Sequence, residues 1–259
     1  MDFGLNGKTA LVLGASRGLG AAIAQGLAKE GVKVYAAARS NEQIDEWAKS
    51  LNIADNVTAI SLDLTDIDAI NKTIENILKN GGVDILVNNT GGPPPSLAHE
   101  TSRNGWIDNF EVMAANIFHI TQKLLPNMRE NKWGRIISLT SSGVEQPIPR
   151  LAISNAIRSA IVGWSKTLSA EVAADGITVN VIMPGRIKTK RLDQLDTNAA
   201  ERTGKSIEDV AKASVATIPA ARYGTPEEFA NVAVFLASEA ASYVTGSKIR
   251  IDGGAIKGI

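Results

Sequence analysis

Cysteine is absent from the chain, and only two of its 259 residues are histidines. Without cysteine there can be no disulfide, no thiol nucleophile and no thiolate metal site. Two histidines are too few for a multi-histidine metal centre, so we expect no bound metal. A cysteine-free chain also fits a reducing compartment, and we expect the protein to be cytoplasmic.

An excess of charge of one sign is also lacking, because 27 lysines and arginines balance 27 aspartates and glutamates. A balanced surface argues against nucleic acid or an anionic membrane as the main partner. No apolar stretch approaches the length of a membrane span, and residues 1–8 lack the apolar run of a signal peptide. These absences favour a small molecule as the partner of an ordinary globular protein.

What the chain does contain is an alternation of strand-like and helix-like segments. Strands are predicted near residues 9–14, 32–38, 57–62, 84–88, 134–140, 177–182 and 248–252. Helices are predicted near residues 19–30, 41–51, 67–79, 103–130, 155–174, 206–215 and 226–238. Continuously apolar strand runs are typical of a parallel sheet that is covered on both faces. The pattern predicts one α/β domain over residues 1–259, built on a doubly wound sheet.

Three segments are expected to form loops at the carboxyl ends of the strands: 90–103, 141–153 and 184–206. Open α/β sheets bind their ligands at that edge. We therefore expect a binding cleft between these loops.

Residues 14–20, Gly-Ala-Ser-Arg-Gly-Leu-Gly, follow the first predicted strand and open the first predicted helix. Glycines at such a junction permit a tight turn and the close approach of a pyrophosphate, which the free N–H groups of the helix start bind. Glycines also serve purely structural turns, but the strand–turn–helix context favours a dinucleotide site. The predicted contacts in this turn are Gly14, Ser16, Arg17, Gly18, Leu19 and Gly20.

The end of the second predicted strand distinguishes the two nicotinamide cofactors. A carboxylate there would bind the ribose 2′-hydroxyl of NAD(H), whereas this chain has Arg39 after three alanines. Arg39, assisted by Arg17, suits a 2′-phosphate, unless both side chains are merely solvated. We predict NADP(H) as the preferred cofactor, with NAD(H) as the alternative.

Further short segments complete a recognisable set: 63–65 (Asp-Leu-Thr), 88–91 (Asn-Asn-Thr-Gly), 134–137 (Gly-Arg-Ile-Ile), 184–189 (Pro-Gly-Arg-Ile-Lys-Thr), 243–246 (Tyr-Val-Thr-Gly) and 252–254 (Asp-Gly-Gly). With the glycine turn, they make the chain resemble the short-chain dehydrogenase/reductase family, especially its 3-oxoacyl-carrier-protein-reductase-like members. The resemblance covers essentially the whole chain. It implies a single Rossmann-type domain with a seven-stranded parallel sheet. It also implies a homo-oligomer, tetramer or dimer, with the predicted helices 103–130 and 155–174 as candidate interfaces.

The resemblance also implies further cofactor contacts. Asp63 and Leu64 would lie by the adenine, and Asn89 and Gly91 by the ribose side. The nicotinamide would lie against residues 184–189, through Pro184, Gly185, Ile187 and Thr189.

The family's hydride chemistry normally uses Asn, Ser, Tyr and Lys, and the resemblance places Ser141 at the serine position. Ser154 stands at the tyrosine position and Arg158 at the lysine position. An ungapped alignment puts Met113 at the asparagine position, and Asn116 would take over that role only if the helix register shifted. We expect Ser141, Ser154 and Arg158 to form the catalytic site, with three of the family's four groups replaced.

These replacements weaken acid–base chemistry. A phenol has a pKa of about 10, which a nearby lysine lowers, whereas an alkyl hydroxyl is a far weaker acid. Arg158 keeps a positive charge but does not relay protons at physiological pH. General acid–base assistance is typically worth roughly 10²–10⁴ in rate, while positioning of the reactants can survive its loss.

No other residue is an evident substitute acid. His99 either reaches over the pocket from its loop or is solvated, and Glu145 acts only if it is buried. His119 is expected to serve helix packing or a subunit interface, and Thr90 either adds a hydroxyl to the site or fills space. The tyrosines lie in the second strand and near the C-terminus, at Tyr35, Tyr223 and Tyr243.

The loops also offer an apolar wall and a run of cations. The wall is expected to consist of Pro93, Pro94, Pro95, Leu97, Ile148, Pro149, Leu151 and Leu192. The cations are Arg186, Lys188, Lys190 and Arg191, with Arg150 in the neighbouring loop. They either attract an anionic substrate, such as a carboxylate, a phosphate or a carrier-linked acyl group, or are solvated or contact the cofactor's own phosphates.

Three hypotheses follow. The first is an atypical NADP(H)-dependent oxidoreductase that interconverts a carbonyl and an alcohol, in which Ser141 and Ser154 orient the reacting oxygen and Arg158 holds the nicotinamide ribose. The second is a cofactor-binding protein without hydride transfer, with a sensing or assembly role. The third is non-redox chemistry, such as dehydration or isomerisation, on the same scaffold.

Overall fold

A seven-stranded parallel sheet lies at the centre of the computed structural model, which describes residues 2–258. The strands are β1 Thr9–Leu13, β2 Lys33–Ala38, β3 Val57–Ser61, β4 Ile85–Asn88, β5 Gly134–Leu139, β6 Ile177–Pro184 and β7 Lys248–Ile251. They lie side by side in the order β3-β2-β1-β4-β5-β6-β7. The predicted doubly wound, Rossmann-type α/β domain is confirmed.

Helices connect the strands and cover the sheet. Their bounds are α1 Gly18–Lys29, α2 Glu42–Ser50, α3 Ile67–Lys79, α4 Arg103–Phe110, α5 Asn116–Glu130, α6 Ala152–Val172, α7 Lys190–Thr203, α8 Ile207–Val215 and α9 Pro226–Ala237. No helix within residues 2–258 is both long and apolar enough to cross a membrane.

Both faces of the sheet are buried, as the apolar strand runs predict. Successive side chains of a strand point to opposite faces, so Ala10 and Val12 join one core while Leu11 and Leu13 join the other. Helices α1, α2 and α9 pack on the first core, and α3, α5 and α6 on the second. This layering fixes the carboxyl ends of the strands as one continuous edge.

The structure corrects one predicted loop. Residues 184–206 contain the helix α7, which begins after Thr189, whose side chain accepts a hydrogen bond from the Leu192 N–H, and ends at Gly204 in the left-handed conformation. Thr189 followed by the apolar residues Leu192 and Leu195 is a helix-start pattern that the sequence analysis missed. The loop at this edge of the sheet is therefore short, and α7 forms a wall of the cleft.

The predicted helix 103–130 is also not continuous. A π-helical turn, Glu111–Ala115, separates α4 from α5. The extra residue in such a turn shifts the faces of the two flanking helices relative to each other. The turn contains Met113, which is buried and faces the cleft described below.

Candidate functional site

A cleft of about 2720 Å³ opens at the carboxyl edge of the sheet, where the connections after β1, β4, β5 and β6 meet. All of the predicted cofactor and catalytic residues line this cleft except Gly20. Segments that are far apart in the chain therefore meet at one cleft.

The glycine turn ends in an uncapped helix start. Arg17 occupies the N-cap position of α1 without a side-chain hydrogen bond, and the first turn of the helix has no acidic residue. The N–H groups of Gly18, Leu19 and Gly20 have no acceptor within residues 2–258. Free N–H groups and the positive end of the helix dipole thus face the cleft, which is the arrangement that binds a phosphate.

Gly14 and Gly20 allow this turn to close. Gly14 has φ +63°, and a β-carbon added there would lie 2.6 Å from Asn89 Nδ2. A β-carbon added at Gly20 would overlap the Gly14 carbonyl group. Gly20 therefore packs beneath the turn and does not line the cleft, while its N–H belongs to the free start of α1.

Asn89 holds the turn from the neighbouring strand. Its Nδ2 donates hydrogen bonds to the carbonyl oxygens of Leu13, at 3.2 Å, and Gly14, at 3.3 Å. The resemblance implied a contact of Asn89 with the ribose side, but its side-chain donors are directed at the protein backbone. We interpret Asn89 as a residue that fixes the shape of the dinucleotide turn.

Two residues mark the far end of the cleft, by β2 and β3. Arg39 is exposed and lies near Asp63, whose pKa is lowered chiefly by a hydrogen bond from the Thr65 N–H. Trp47, which the sequence analysis missed, lines the cleft and donates from Nε1 to the Ala15 carbonyl oxygen at 3.2 Å. The end of β2 carries Arg39 and no carboxylate, and within residues 2–258 Arg39 forms no ion pair. This arrangement favours a phosphorylated ribose over an unmodified one.

The opposite end of the cleft, after β5, holds the predicted catalytic residues. Ser141 lies two residues after the end of β5, and its Oγ accepts a hydrogen bond from the Gly143 N–H at 3.1 Å. Ser154 and Arg158 lie one turn apart on the same face of α6, 9% and 8% exposed. Ser154 makes no side-chain hydrogen bond within residues 2–258, so its hydroxyl is available to a ligand.

Arg158 is a buried cation with an unusual environment. Its Nη1 donates to the Leu139 carbonyl oxygen at 2.9 Å, and within residues 2–258 it forms no ion pair. Burial lowers the pKa of Arg158 to about 10, and repulsion from Arg191 contributes to the same shift. Arg158 is therefore still charged at neutral pH, at a cost in free energy that no ion pair within residues 2–258 offsets.

Replacing Arg158 by methionine is expected to stabilise the protein in the absence of ligands. Exchanging buried charged groups for apolar ones often raises the free energy of unfolding by about 1–4 kcal/mol, and the lost hydrogen bond to Leu139 offsets part of this gain. The gain in the free energy of unfolding is expected to be full at neutral pH and to shrink above a pH of about 10. Above that pH, Arg158 of the folded parent protein releases its proton while the unfolded chain retains it.

Urea denaturation at neutral and at alkaline pH measures this effect. Arg103→Met, at the exposed start of α4, is the matched control and is expected to change stability little. A lower stability of Arg158→Met than of the parent protein at neutral pH would contradict the expectation.

No tyrosine or histidine of residues 2–258 lines the cleft. Tyr243 is fully exposed, and the Tyr223 hydroxyl donates to Asp196 Oδ2 at 2.9 Å outside the cleft. The His99 side chain is 78% exposed beside Glu100. Tyr35 packs in the second core and likewise does not line the cleft.

Glu145 and His119 are also engaged elsewhere. A hydrogen bond from Lys248 lowers the pKa of Glu145, so this carboxyl is no proton donor at neutral pH. His119 Nε2 lies 2.7 Å from Asn71 Oδ1, between α5 and α3. This contact agrees with the expectation that His119 serves helix packing.

The helix register places Met113, and not Asn116, at the family's asparagine position. Met113 lines the cleft beside Ser154 and Arg158, whereas Asn116 donates from Nδ2 to the Leu64 carbonyl oxygen at 2.8 Å and does not line it. The register shift that would bring Asn116 into the site is therefore absent. Thr90 does line the cleft.

The loops over this end of the cleft are tied together. The Ser96 N–H donates to the Arg150 carbonyl oxygen at 2.8 Å, and the Ala152 N–H donates to the Ser96 carbonyl oxygen. Arg191 donates from Nη2 to the Pro93 carbonyl oxygen at 3.1 Å. The predicted apolar wall lines the cleft except for Leu97, which lies outside it.

The predicted run of cations is not uniform. Arg186 pairs with the buried Asp196, with 2.9 Å between Nη1 and Oδ1, so its charge is compensated within the protein. Arg150, Lys188, Lys190 and Arg191 line the cleft and form no ion pair within residues 2–258. The sequence could not distinguish the paired arginine from the others, because Asp196 belongs to the helix that was not predicted.

Comparisons with known proteins agree with this geometry. The sequence profile of the family described as enoyl-(acyl carrier protein) reductase matches residues 14–255. The 3-oxoacyl-[acyl-carrier-protein] reductase FabG of Vibrio cholerae is 36% identical over 251 residues, which cover 96% of this chain and 98% of that protein. The chain belongs to the short-chain dehydrogenase/reductase family.

Solved structures of other members of this family are closely similar. The structure of L-sorbose reductase from Gluconobacter frateurii, complexed with NADPH and L-sorbose, has a TM-score of 0.93 at 33% identity and covers all of both chains. YwfH, an NADPH-dependent reductase involved in bacilysin biosynthesis, has a TM-score of 0.92 at 29% identity, with 97% of this chain and 99% of that chain covered. As in the resemblance drawn from the motifs, the similarity extends over the whole domain.

Proposed function

We propose that this member of the short-chain dehydrogenase/reductase family is an atypical NADP(H)-dependent oxidoreductase that interconverts a carbonyl and an alcohol. The observation that carries the proposal is one cleft that joins an uncapped, glycine-lined helix start at one end to Ser141, Ser154 and Arg158 at the other. The NADPH named for the similar reductase structures supports the choice of cofactor.

The cleft fits NADP(H) in charge and in length. The N–H groups at the start of α1 would hold the pyrophosphate, Arg39 and Arg17 the 2′-phosphate, and Asp63 and Leu64 would lie by the adenine. The nicotinamide would lie against Pro184, Gly185, Ile187 and Thr189, and Gly91 would lie on the ribose side. When bound, this cofactor supplies or accepts a hydride.

The serines and the arginine then have separate roles. Ser141 and Ser154 hydrogen-bond the reacting oxygen and hold the carbonyl in position. Arg158 lies one helical turn after Ser154 on α6 and supplies a positive field that favours negative charge on the reacting oxygen. Since neither hydroxyl is a strong acid, water has to deliver the proton, and we expect turnover to be slow.

Oxidation of NADPH across a panel of aldehydes and ketones tests the proposal. We expect slow turnover with a subset of the panel and none without a carbonyl compound. Turnover with no member of the panel would refute it. Failure of both NADP(H) and NAD(H) to bind in calorimetry would remove the basis for any dinucleotide function.

Arg39→Gln is expected to weaken NADPH binding by about 10–100-fold, because it removes a charge-assisted hydrogen bond to the 2′-phosphate. NADH has no such phosphate, so its affinity is expected to be unchanged. Lys33→Gln removes the same charge from the other end of β2 and is the control. Titration by cofactor fluorescence measures both affinities, and an equal loss for both cofactors would contradict the proposed role of Arg39.

A cofactor-binding protein without hydride transfer is the second candidate. It is favoured by the absence of a tyrosine from the lining of the cleft, within residues 2–258. Tight NADPH binding together with no turnover on any carbonyl compound would support this candidate over the first.

We also infer that the protein forms a homo-oligomer. Helix α4 exposes Ile107 and Phe110, 43% and 42% exposed, on a helix that the resemblance implies in subunit contacts. Light scattering after size-exclusion chromatography tests this, and a monomer at micromolar concentration would refute it.

A further inference from the structure

The reacting end of the cleft contains two arginines, Arg158 and Arg191, that form no ion pair within residues 2–258. Arg158 is 8% exposed, and its guanidinium has one hydrogen bond to the protein, to the Leu139 carbonyl oxygen. The one charged group that perturbs it within residues 2–258 is Arg191, another cation. Because a buried guanidinium is costly without an anion, this arrangement indicates that the anion comes with a ligand.

Arg191 approaches the same space from the opposite wall. It lies on the first turn of α7, lines the cleft and donates to the Pro93 carbonyl oxygen. A β-carbon added at Gly92 would lie 3.3 Å from Arg191 Nη2, so the guanidinium lies directly over the backbone that follows β4. A neutral carbonyl leaves the charge of Arg191 uncompensated, and four of its five N–H donors have no acceptor within residues 2–258.

The phosphates of the dinucleotide do not account for the charge of Arg158. The glycine turn follows β1, whereas Leu139, which Arg158 contacts, ends β5, two strands away in the sheet. Two strand spacings amount to about 10 Å. The acidic residues of the cleft do not compensate these cations either. Asp108, Glu201 and Glu227 form no ion pair with Arg158 or Arg191 within residues 2–258, and Asp63 lies beyond β1 on the other side, near Arg39.

We propose that Arg158 and Arg191 bind an oxyanion of the substrate, a carboxylate or a phosphate group, beside the hydroxyls of Ser141 and Ser154. Guanidinium groups match the planar geometry of carboxylates and the oxygens of phosphates. The inference rests on the function proposed above and narrows its substrates to anionic carbonyl compounds and their alcohols. The prolines of the two tied loops then contact the apolar remainder of the substrate.

Calorimetry on the protein saturated with NADP⁺ tests this inference without turnover. The probes are pyruvate, 2-oxopentanoate and 3-oxobutanoate, each paired with its methyl ester, together with inorganic phosphate and methyl phosphate. At least one acid is expected to bind more tightly than its ester by about 10–100-fold, as for one charge-assisted hydrogen bond. Tighter binding of methyl phosphate than of every carboxylate identifies the oxyanion as a phosphate group.

Arg191→Gln and Arg158→Gln are expected to abolish the preference for the charged member of the pair. Arg191 is exposed, so its variant keeps the test valid if loss of the buried Arg158 impairs folding. Arg103→Gln, which removes the same charge from the exposed start of α4 outside the cleft, is the control and is expected to retain the preference.

Two outcomes would overturn the inference. One is equal binding of every acid and its ester by the parent protein, or no binding of any charged probe. The other is the same affinity for the charged probe in Arg191→Gln as in Arg103→Gln. Charge-dependent binding without NADPH oxidation would refute the proposed oxidoreductase activity while leaving the anion site in place. Oxidation of NADPH by neutral ketones alone would refute the anion site while leaving the proposed oxidoreductase activity in place.

Discussion

Ser154→Tyr combined with Arg158→Lys is expected to raise carbonyl reduction by about 10²–10⁴-fold, the usual contribution of a positioned general acid. Ser154 and Arg158 lie one turn apart on the face of α6 that lines the cleft, so the new phenol and ammonium would be neighbours. The ammonium lowers the pKa of the phenol towards neutrality, and the cleft has room for the larger ring. Steady-state NADPH oxidation measures the change.

A matched variant separates the acid from the bulk of the ring. Ser159 is exposed on α6, and its hydroxyl donates to the Asn155 carbonyl oxygen away from the cleft. Ser159→Tyr with Arg158→Lys adds the same groups but keeps the phenol out of the site, and no gain is expected. A gain in this control, or none in the first variant despite normal NADPH binding, would refute the interpretation that the missing phenol limits the rate.

Gly20→Ala is expected to abolish cofactor binding and to destabilise the fold. The added β-carbon would overlap the Gly14 carbonyl group and lie 2.7 Å from Asn89 Nδ2, so the turn and the start of α1 have to move apart. Overpacking of this kind typically costs about 1–3 kcal/mol. Because the displaced N–H groups are those that would bind the pyrophosphate, the affinity for NADPH is expected to fall by about 100-fold or more.

Gly163→Ala is the control for this substitution. Gly163 is an exposed helical glycine of α6 with no atom within 4 Å of an added β-carbon, so alanine is expected to stabilise the helix by about 1 kcal/mol. Thermal unfolding and NADPH titration compare the two variants. Normal NADPH affinity in a folded Gly20→Ala protein would contradict the role given to this turn.

The parts of the site that depend on local sequence were predictable. The glycine turn, the strand before it and the helix after it are adjacent in the chain, and their residue types alone specify the geometry. The same holds for the apolar strands, whose alternate burial on two faces follows from periodicity. Ser154 and Arg158 share a face of α6 because they are four residues apart.

The parts that depend on long-range partners were not predictable. Asn89 bonds the backbone after β1, Trp47 closes the turn from α2, and Arg186 pairs with Asp196 of the missed helix. No local pattern says which hydrogen-bond partner a polar side chain finds across the sheet. The burial of Arg158 without a carboxylate is likewise a property of packing and cannot be read from composition.

The ties between the loops over the cleft have a consequence for selectivity. Ser96 is bonded to residues 150 and 152 through main-chain atoms, so the frame of the entrance does not depend on which side chains the loops carry. Substitutions at Pro94, Ile148 or Pro149 can therefore change the width and polarity of the cleft entrance while the hydrogen bonds between the two loop backbones stay in place. Mutagenesis for new substrates is expected to succeed at these three positions. It is expected to fail where a substitution breaks the main-chain hydrogen bonds between the loops.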